Sequence, residues 1–192
     1  MHQPPQAERL FKTVLSRLLA AGEPADSNAV VEISLKLAAI YAATGALHQA
    51  EQGFAFCLAA QQRKLGGGEA ADADTLGLAG LVLDQRAQFL LQQDRLEEAE
   101  VAWREAVRVA VQLHGEEGEQ TLVVTNSLAT LLSMRGEHKA AAETLSRVVA
   151  AAREQESEHL PAFLVNLGLV LLKQVRRRPF VARANHPRVA TN

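Results

Sequence analysis

The sequence predicts an all-α fold, a solenoid built from antiparallel pairs of helices. Hydrophobic residues make up 48% of the 192 positions, whereas aromatic residues make up 4% and prolines number only 6. This composition is typical of helices rich in Ala and Leu, and we expect almost no sheet. A helix–turn–helix pattern also recurs along the chain, and one such pair cannot bury its own apolar face. We therefore expect several pairs stacked against one another.

Residues 28–58 contain the first complete pair, two apolar helical patterns joined by a turn at Gly45. Ala38 and Ala50 lie where the two backbones must approach closely, and larger side chains fill the space beside them. Cys57 lies on the same packing face between the two helices, which indicates a buried structural thiol rather than a reactive one. Six positions are those typical of a tetratricopeptide repeat: Leu37, Ala38, Tyr41, Ala50, Phe54 and Cys57.

The small residue of the second helix recurs at Ala7, Ala50, Ala99 and Ala141, at intervals of 43, 49 and 42 residues. The standard tetratricopeptide unit is about 34 residues long. The sequence therefore predicts long repeats of about 42 residues, similar to those of kinesin light chains. In this register Trp103 falls at a core position, with its indole N–H directed to a partner or to water.

Residues 1–174 are predicted to form the repeat domain, and residues 175–192 a basic disordered tail. Residues 173–192 hold six basic residues and no acidic one. Phe180 stands where the next small residue is expected, so the second helix of a fourth pair is not predicted. The predicted units are a half repeat at 6–21, repeats at 28–65, 73–115 and 121–155, and a half repeat at 160–174.

Small polar residues and glycines mark the predicted helix ends. Gly45 should end the first helix of its pair, because glycine adopts the left-handed conformation without a Cβ penalty. The glycines at 66–68 indicate a flexible linker and not a phosphate cradle, since no strand precedes them and no Lys-Ser/Thr follows. The candidate N-cap residues are Ser27 or Asn28, Asp72 or Asp74, Asp94 and Thr121.

Charge and hydropathy disfavour two classes of partner. Residues 1–172 hold 14 basic and 22 acidic residues, so the body of the protein is a poor binder of nucleic acid. No uncharged apolar run reaches about 18 residues, and we expect no membrane span. Residues 6–21 show a weak similarity to a mitochondrial presequence, but the repeat register of Ala7 and Phe11 favours a solenoid helix.

Motifs for catalysis are missing from the sequence. The six histidines form no His-x-x-x-His pair, and one cysteine cannot supply a tetrahedral metal set, so no metal or cofactor is predicted. No nucleophile elbow or Walker sequence is present either. Glu97, Glu98 and Glu100 lie at a predicted helix start, where carboxylates favour the positive end of the helix dipole. We predict a protein that is not an enzyme.

The first helices of the pairs should line a concave groove, because residues three and four apart share one helix face. Polar amides and hydroxyls on that face suit an extended or helical peptide. A simpler interpretation is a solvated helix surface. The candidate groove residues lack the several closely spaced Lys, Arg and Asn residues of a carboxylate clamp, so recognition of a chaperone's terminal carboxylate is disfavoured. The candidate groove residues are Lys36, Asp84, Gln85, Gln88, Asn126, Ser127, Thr130, Asn166 and Lys173.

Three segments, AERLFKTVLSRLL, NAVVEISLKLAAIYAATG and FAFCL, carry a more specific resemblance. They resemble the central region of the tetratricopeptide repeat protein 19 family, proteins of the mitochondrial inner membrane associated with respiratory complex III. The resemblance extends to about residue 174. It implies a non-enzymatic scaffold that supports assembly and quality control of complex III, with complex III subunits, including the iron–sulfur subunit, as partners.

The chain differs from that family at both ends. We expect no transit or anchoring segment before Met1, and the last 18 residues do not resemble the family's final repeat. We expect a form truncated or alternatively spliced at both ends, for which import and anchoring are open. The alternative is a cytosolic cargo or signalling adaptor of the kinesin light chain type, which the long repeat period and the missing targeting region favour.

Overall fold

The structure is a computed structural model that describes residues 4–66 and 72–176, and in these ranges it contains eight helices and no strand. Each helix packs against the next one, while α2 also contacts α4 and α6 contacts α8. This is the predicted all-α solenoid of stacked helix pairs, and the prediction is confirmed. The helices are α1 (Pro4–Ala20), α2 (Asn28–Thr44), α3 (Leu47–Leu65), α4 (Ala73–Gln92), α5 (Leu96–His114), α6 (Glu119–Met134), α7 (His138–Glu154) and α8 (Leu160–Arg176).

The first helices of the first two pairs, α2 and α4, begin at N-cap residues that the sequence predicts. The Ser27 hydroxyl accepts a hydrogen bond from the Val30 N–H at 3.3 Å and caps α2. Asp72 caps α4 by accepting from the Thr75 N–H at 2.6 Å, and this bond holds the pKa of its carboxyl below the usual range. Gly45 ends α2 with φ +78°, as expected for a left-handed cap.

Two predicted caps are wrong. Asp94 does not cap α5, because it adopts φ +58° and its N–H donates to the Leu91 carbonyl, which places it in the turn that ends α4. In the turn between α4 and α5, Asp94 therefore occupies the position that Gly45 holds between α2 and α3. Thr121 does not cap α6, which already begins at Glu119; its hydroxyl donates instead to the Gly115 carbonyl at 2.8 Å.

Small residues allow the helix pairs to pack closely. Ala38 and Ala50 are both 0% exposed, as the repeat pattern predicts. The tightest approach of α2 and α3 lies at Gly53, where an added Cβ would come within 2.7 Å of the Ala38 Cβ. Real Cβ atoms do not approach that closely, so the pair relies on a glycine that the repeat pattern does not include.

The core runs without a break from α2 to α6, and two smaller clusters join α6, α7 and α8. Cys57 is fully buried in the main cluster, and its thiol donates to the Val31 carbonyl at 3.6 Å. Cys57 is thus buried as predicted, and burial raises the pKa of its thiol to about 12, which disfavours a reactive thiolate. The tail predicted at 175–192 lies, from residue 177 onward, outside the described residues, as do Gly67 and Gly68.

Candidate peptide-binding groove

The nine predicted groove residues lie on the first helices of the pairs, α2, α4, α6 and α8. Seven of them form two groups, one on α4 and one on α6 and α8, and the other two are lysines. Lys36 on α2 is exposed and pairs with Glu32 of its own helix at 3.3 Å. Lys173 on α8 is also exposed. The contacts of the two groups show what each one offers to a ligand.

The first group lines an open groove of about 380 Å³ between α2 and α4. Asp84, Gln85 and Gln88 form the wall from α4, and small side chains such as Ala39 and Ala43 form the wall from α2. The Gln85 side-chain oxygen is buried and has no hydrogen-bond partner among the described residues. A buried acceptor without a donor is unfavourable, and Gln85 is one of the residues that line this groove.

Asp84 connects this groove to the core. One carboxylate oxygen accepts a hydrogen bond from the Trp103 indole N–H at 2.8 Å, and the other accepts from the Gln88 amide at 2.7 Å. Trp103 is 3% exposed, which confirms its prediction as a core residue whose N–H reaches a partner. Because the indole holds Asp84 in place, the carboxylate presents a fixed negative charge to the groove.

The second group lies between α6 and α8. The Asn126 side-chain oxygen accepts a hydrogen bond from the Asn166 amide at 3.0 Å, so these two predicted residues meet across the helices. The hydroxyls of Ser127 and Thr130 donate to carbonyls one turn earlier in α6, at 3.3 and 2.9 Å. Each hydroxyl oxygen keeps lone pairs for a ligand donor, although its own hydrogen is already used.

A second groove of about 250 Å³ continues from the first across α4 towards α6. Leu81 and Asp84 line both grooves, so the helices α2, α4 and α6 share one continuous surface. The sequence interpretation missed Leu81, which is 44% exposed, and Gln92. Both residues lie three or four positions from predicted ones, so the same helical spacing identifies them.

Two of the carboxylates at the start of α5, those of Glu98 and Glu100, form ion pairs. Glu98 pairs with Arg95 at 2.7 Å, and this contact holds the pKa of the Glu98 carboxyl below its usual range. Arg95 also reaches Glu51 on α3 at 2.6 Å, and Glu100 pairs with both Arg104 and Arg135. A carboxyl group with a lowered pKa, such as that of Glu98, is a poor proton donor, which disfavours an acid–base role for this residue.

One group of metal-type ligands was not anticipated from the sequence. Potential ligand atoms of Glu119, Glu158 and His159 lie within 4.8 Å of one another at the surface. The Glu119 carboxylate already accepts a hydrogen bond from Ser157 at 3.1 Å, and we assign no metal site to the group. Among the helices of the described ranges, none is long and apolar enough to cross a membrane.

Comparisons of sequence agree with this architecture. The tetratricopeptide repeat family pattern matches residues 81–154. Tetratricopeptide repeat protein 19, mitochondrial, from Rattus norvegicus is 35% identical over 178 residues, which cover 88% of this chain and 49% of the relative. The Danio rerio protein of that name is 38% identical over 152 residues, with 74% and 38% covered, and the Homo sapiens protein is 32% identical over 179 residues. The chain thus spans about half the length of the rat relative.

Solved structures show the same fold. A Podosopora anserina protein of the kinesin light chain type, with nearly identical TPR-like repeats, superposes with a TM-score of 0.73 at 18% identity over 91% of this chain and 81% of that one. BtubC (BKLC) from P. vanneervenii gives a TM-score of 0.72 at 17% identity over 91% of this chain and 68% of that one. The chain is therefore a tetratricopeptide-repeat protein of the protein-interaction class, and it is related in sequence to tetratricopeptide repeat protein 19.

Proposed function

We propose that this protein is a non-enzymatic scaffold that binds peptide segments of respiratory complex III, including its iron–sulfur subunit, and supports assembly and quality control of that complex. The sequence relationship to proteins named mitochondrial supports the location, and we place the scaffold at the inner membrane. The repeat domain, residues 1–174, is the proposed binding unit.

The observation that carries the proposal of peptide binding is the continuous polar surface of the first helices. It combines an unpaired buried acceptor on Gln85, a fixed carboxylate on Asp84, and the amide pair Asn126–Asn166. A peptide in extended conformation offers free main-chain N–H groups to such acceptors. Alternate side chains of the peptide would lie against the apolar walls between them.

A co-purification experiment tests the groove and the partner together. The affinity-tagged chain is added to detergent-solubilised mitochondria, so that the result does not depend on import, and captured complex III subunits are measured. We expect the wild-type chain to recover complex III. The variant Gln88→Glu/Asn126→Asp should recover at least about five-fold less, because each change replaces an amide, which can donate to a main-chain carbonyl of the ligand, with a carboxylate that cannot.

The matched control carries the same charge change on the second helices of the pairs. Gln52 on α3 and Gln112 on α5 are both exposed and lie outside the two grooves described above, so Gln52→Glu/Gln112→Glu should recover complex III normally. Equal recovery by the groove variant and the control would remove the groove assignment. No recovery by any of the three proteins would remove complex III as the partner.

The second candidate is the cytosolic cargo or signalling adaptor of the kinesin light chain type. The repeat intervals of 43, 49 and 42 residues favour it, since they exceed the standard unit. Immunofluorescence of the untagged chain in cells separates the two candidates. A mitochondrial signal agrees with the complex III scaffold, whereas an exclusively cytosolic signal supports the adaptor.

A further inference from the structure

A second open groove, of about 590 Å³, lies between α3 and α5 and reaches down to α4. It shares no lining residue with the two grooves of the first helices. It is formed mainly by the second helices of two successive pairs and is therefore a separate surface of the solenoid. Leu58, Leu65 and Leu83 contribute apolar walls, and Val101, which is 68% exposed, stands at its edge.

The wall of this groove contains Gln61, which is only 1% exposed. Both polar atoms of its side-chain amide, Oε1 and Nε2, are buried and have no hydrogen-bond partner in the described part of the chain. A primary amide in this state loses its bonds to water and gains nothing in return. An apolar residue of the same size would fold more favourably here, so the amide is explained best by a partner that pairs with it.

The charges around the groove indicate the chemistry of that partner. Three arginines, Arg86, Arg104 and Arg108, and one carboxylate, Glu105, line it. Arg108 pairs with Glu105 at 2.5 Å, which leaves the other two guanidinium groups as an excess of positive charge in the groove. Arg104 contacts Glu100, but that carboxylate is shared with Arg135. The groove therefore favours an acidic ligand that also carries apolar groups.

We propose that this groove binds an extended, acidic segment of a partner protein, and that main-chain N–H and C=O groups of the segment pair with the Gln61 amide when that side chain turns into the groove. An extended segment fits better than a helix, because a helix already uses its own main-chain groups. In an extended chain, successive side chains point to opposite sides. Alternating apolar and acidic residues can thus contact the leucines and the arginines at the same time.

Fluorescence anisotropy with defined peptides tests this assignment. The probe is a labelled peptide of about eight residues that alternates Glu and Leu, and the comparison peptides replace Glu by Lys or by Gln. We expect the Glu/Leu peptide to bind at least about ten-fold more tightly than the Lys/Leu peptide, and its affinity to fall as salt is raised. Equal affinity for the acidic and basic peptides would overturn the proposal.

Two variants test the residues that carry the argument. Gln61→Met keeps the size of the side chain and removes the amide, so it should weaken binding of the Glu/Leu peptide by about ten-fold while raising the Tm of the free protein. Arg86→Gln/Arg104→Gln, which removes the two arginines that Glu105 does not neutralise, should weaken binding by a similar factor. The controls Gln52→Met and Lys139→Gln change exposed residues outside the groove and should leave binding unchanged.

Unchanged binding in Gln61→Met, or in the arginine variant, would overturn the proposal. Should Gln61→Met prove misfolded by circular dichroism, the arginine variant alone decides between the two outcomes. A second copy of this chain is the competing occupant, and light scattering detects it. Self-association that disappears in the arginine variant would assign the groove to a dimer and contradict the acidic segment.

Discussion

The α4–α5 pair and the single helix α8 are both rich in apolar residues, but the structure covers them differently. In α4–α5, Val82, Leu90 and Trp103 are at most 3% exposed, because helices pack on both sides of the pair. In α8 only Phe163 and Val170 are buried. The exposed apolar side chains of α8 are Leu164, Val165, Leu169, Leu171, Leu172 and Val175, at 41–67% exposure.

This contrast shows that neighbours, and not composition, decide how much an apolar helix contributes to stability. In a stacked array each pair is stabilised by the pairs beside it, so a covered helix loses more on mutation than a partly covered one. Among the described helices, α8 contacts α7 and α6, and no other described helix packs on its remaining face. Matched substitutions in the two regions should therefore differ strongly in their cost.

The largest difference is expected between Trp103→Ala and Leu169→Ala. Removing the buried indole should lower the free energy of unfolding by about 3–5 kcal/mol, because it leaves a cavity and takes the hydrogen-bond donor from Asp84. Leu169 is 53% exposed, so its removal should change the free energy by no more than about 0.5 kcal/mol. Urea denaturation followed by circular dichroism measures both values. Similar costs at the two positions would contradict the contrast.

A second effect concerns Cys57 and appears only at high pH. Burial raises the pKa of the folded thiol from 9.0 to about 12, so the unfolded chain loses its proton first and binds fewer protons than the folded one. The stability that the protonated thiol contributes is fully present below pH 9. It is lost as pH rises from 9.0 towards about 12, by up to about 1.4 kcal/mol per pH unit.

The measurement compares urea unfolding of the wild type and of Cys57→Ala between pH 8 and pH 11. The alanine variant should be less stable at pH 8 because it loses packing, but it should lack the thiol-dependent decline. All other ionisable groups are the same in the two proteins, so the difference between the two curves reports the thiol. Parallel curves would show that the thiolate is tolerated and that Cys57 is less enclosed than the structure indicates.

Two glycines form the next matched pair. At Gly53 an added methyl group would come within 2.7 Å of the Ala38 Cβ, so Gly53→Ala should destabilise the protein by about 1–3 kcal/mol despite the helix preference of alanine. At Gly168 in α8 nothing lies within 4 Å of an added Cβ, and Gly168→Ala should stabilise the protein by about 1 kcal/mol. Thermal unfolding of both variants gives the signs. The same sign at both positions would contradict the packing described for α2 and α3.

The repeat spacing was sufficient to predict the fold, because the contact between paired helices requires small residues at fixed intervals. Ala50, Ala99 and Ala141 are all 0% exposed for that reason. The same pattern could not reveal Gly53, since a missing Cβ matters only when the neighbouring helix is in place. The site was harder to predict. Helical spacing placed its residues on one face, but the Asn126–Asn166 bond joins residues on different helices.

The burial of individual polar atoms could not be predicted from the sequence either. Gln61 and Gln85 sit in helices with no signal that separates them from exposed glutamines such as Gln62 and Gln88. Their unpaired amide atoms result from the packing of several helices at once. Sequence reasoning therefore identified the surface of the first helices but not the groove between α3 and α5.

The smallest predicted effect lies in the turn between α4 and α5. Gly45, Asp94 and Gly136 occupy equivalent turns, with φ of +78°, +58° and +87°. In each turn the following residue donates its N–H to a carbonyl near the end of the preceding helix, as Arg95 does to Leu90 at 3.0 Å. Only the middle turn uses a residue with a side chain, which adopts the left-handed region at some cost.

Asp94→Gly should therefore stabilise the protein by about 0.5–1 kcal/mol, because glycine takes this conformation without a Cβ penalty. This gain in stability is expected only if Asp94 lies in the turn that ends α4, as it does in the structure. If the carboxylate instead capped α5, as the sequence suggested, its removal would destabilise the protein. Asp94→Asn separates the two roles further, since asparagine tolerates the left-handed region and can also cap. A loss of stability in Asp94→Gly with no change in Asp94→Asn would show that Asp94 caps α5.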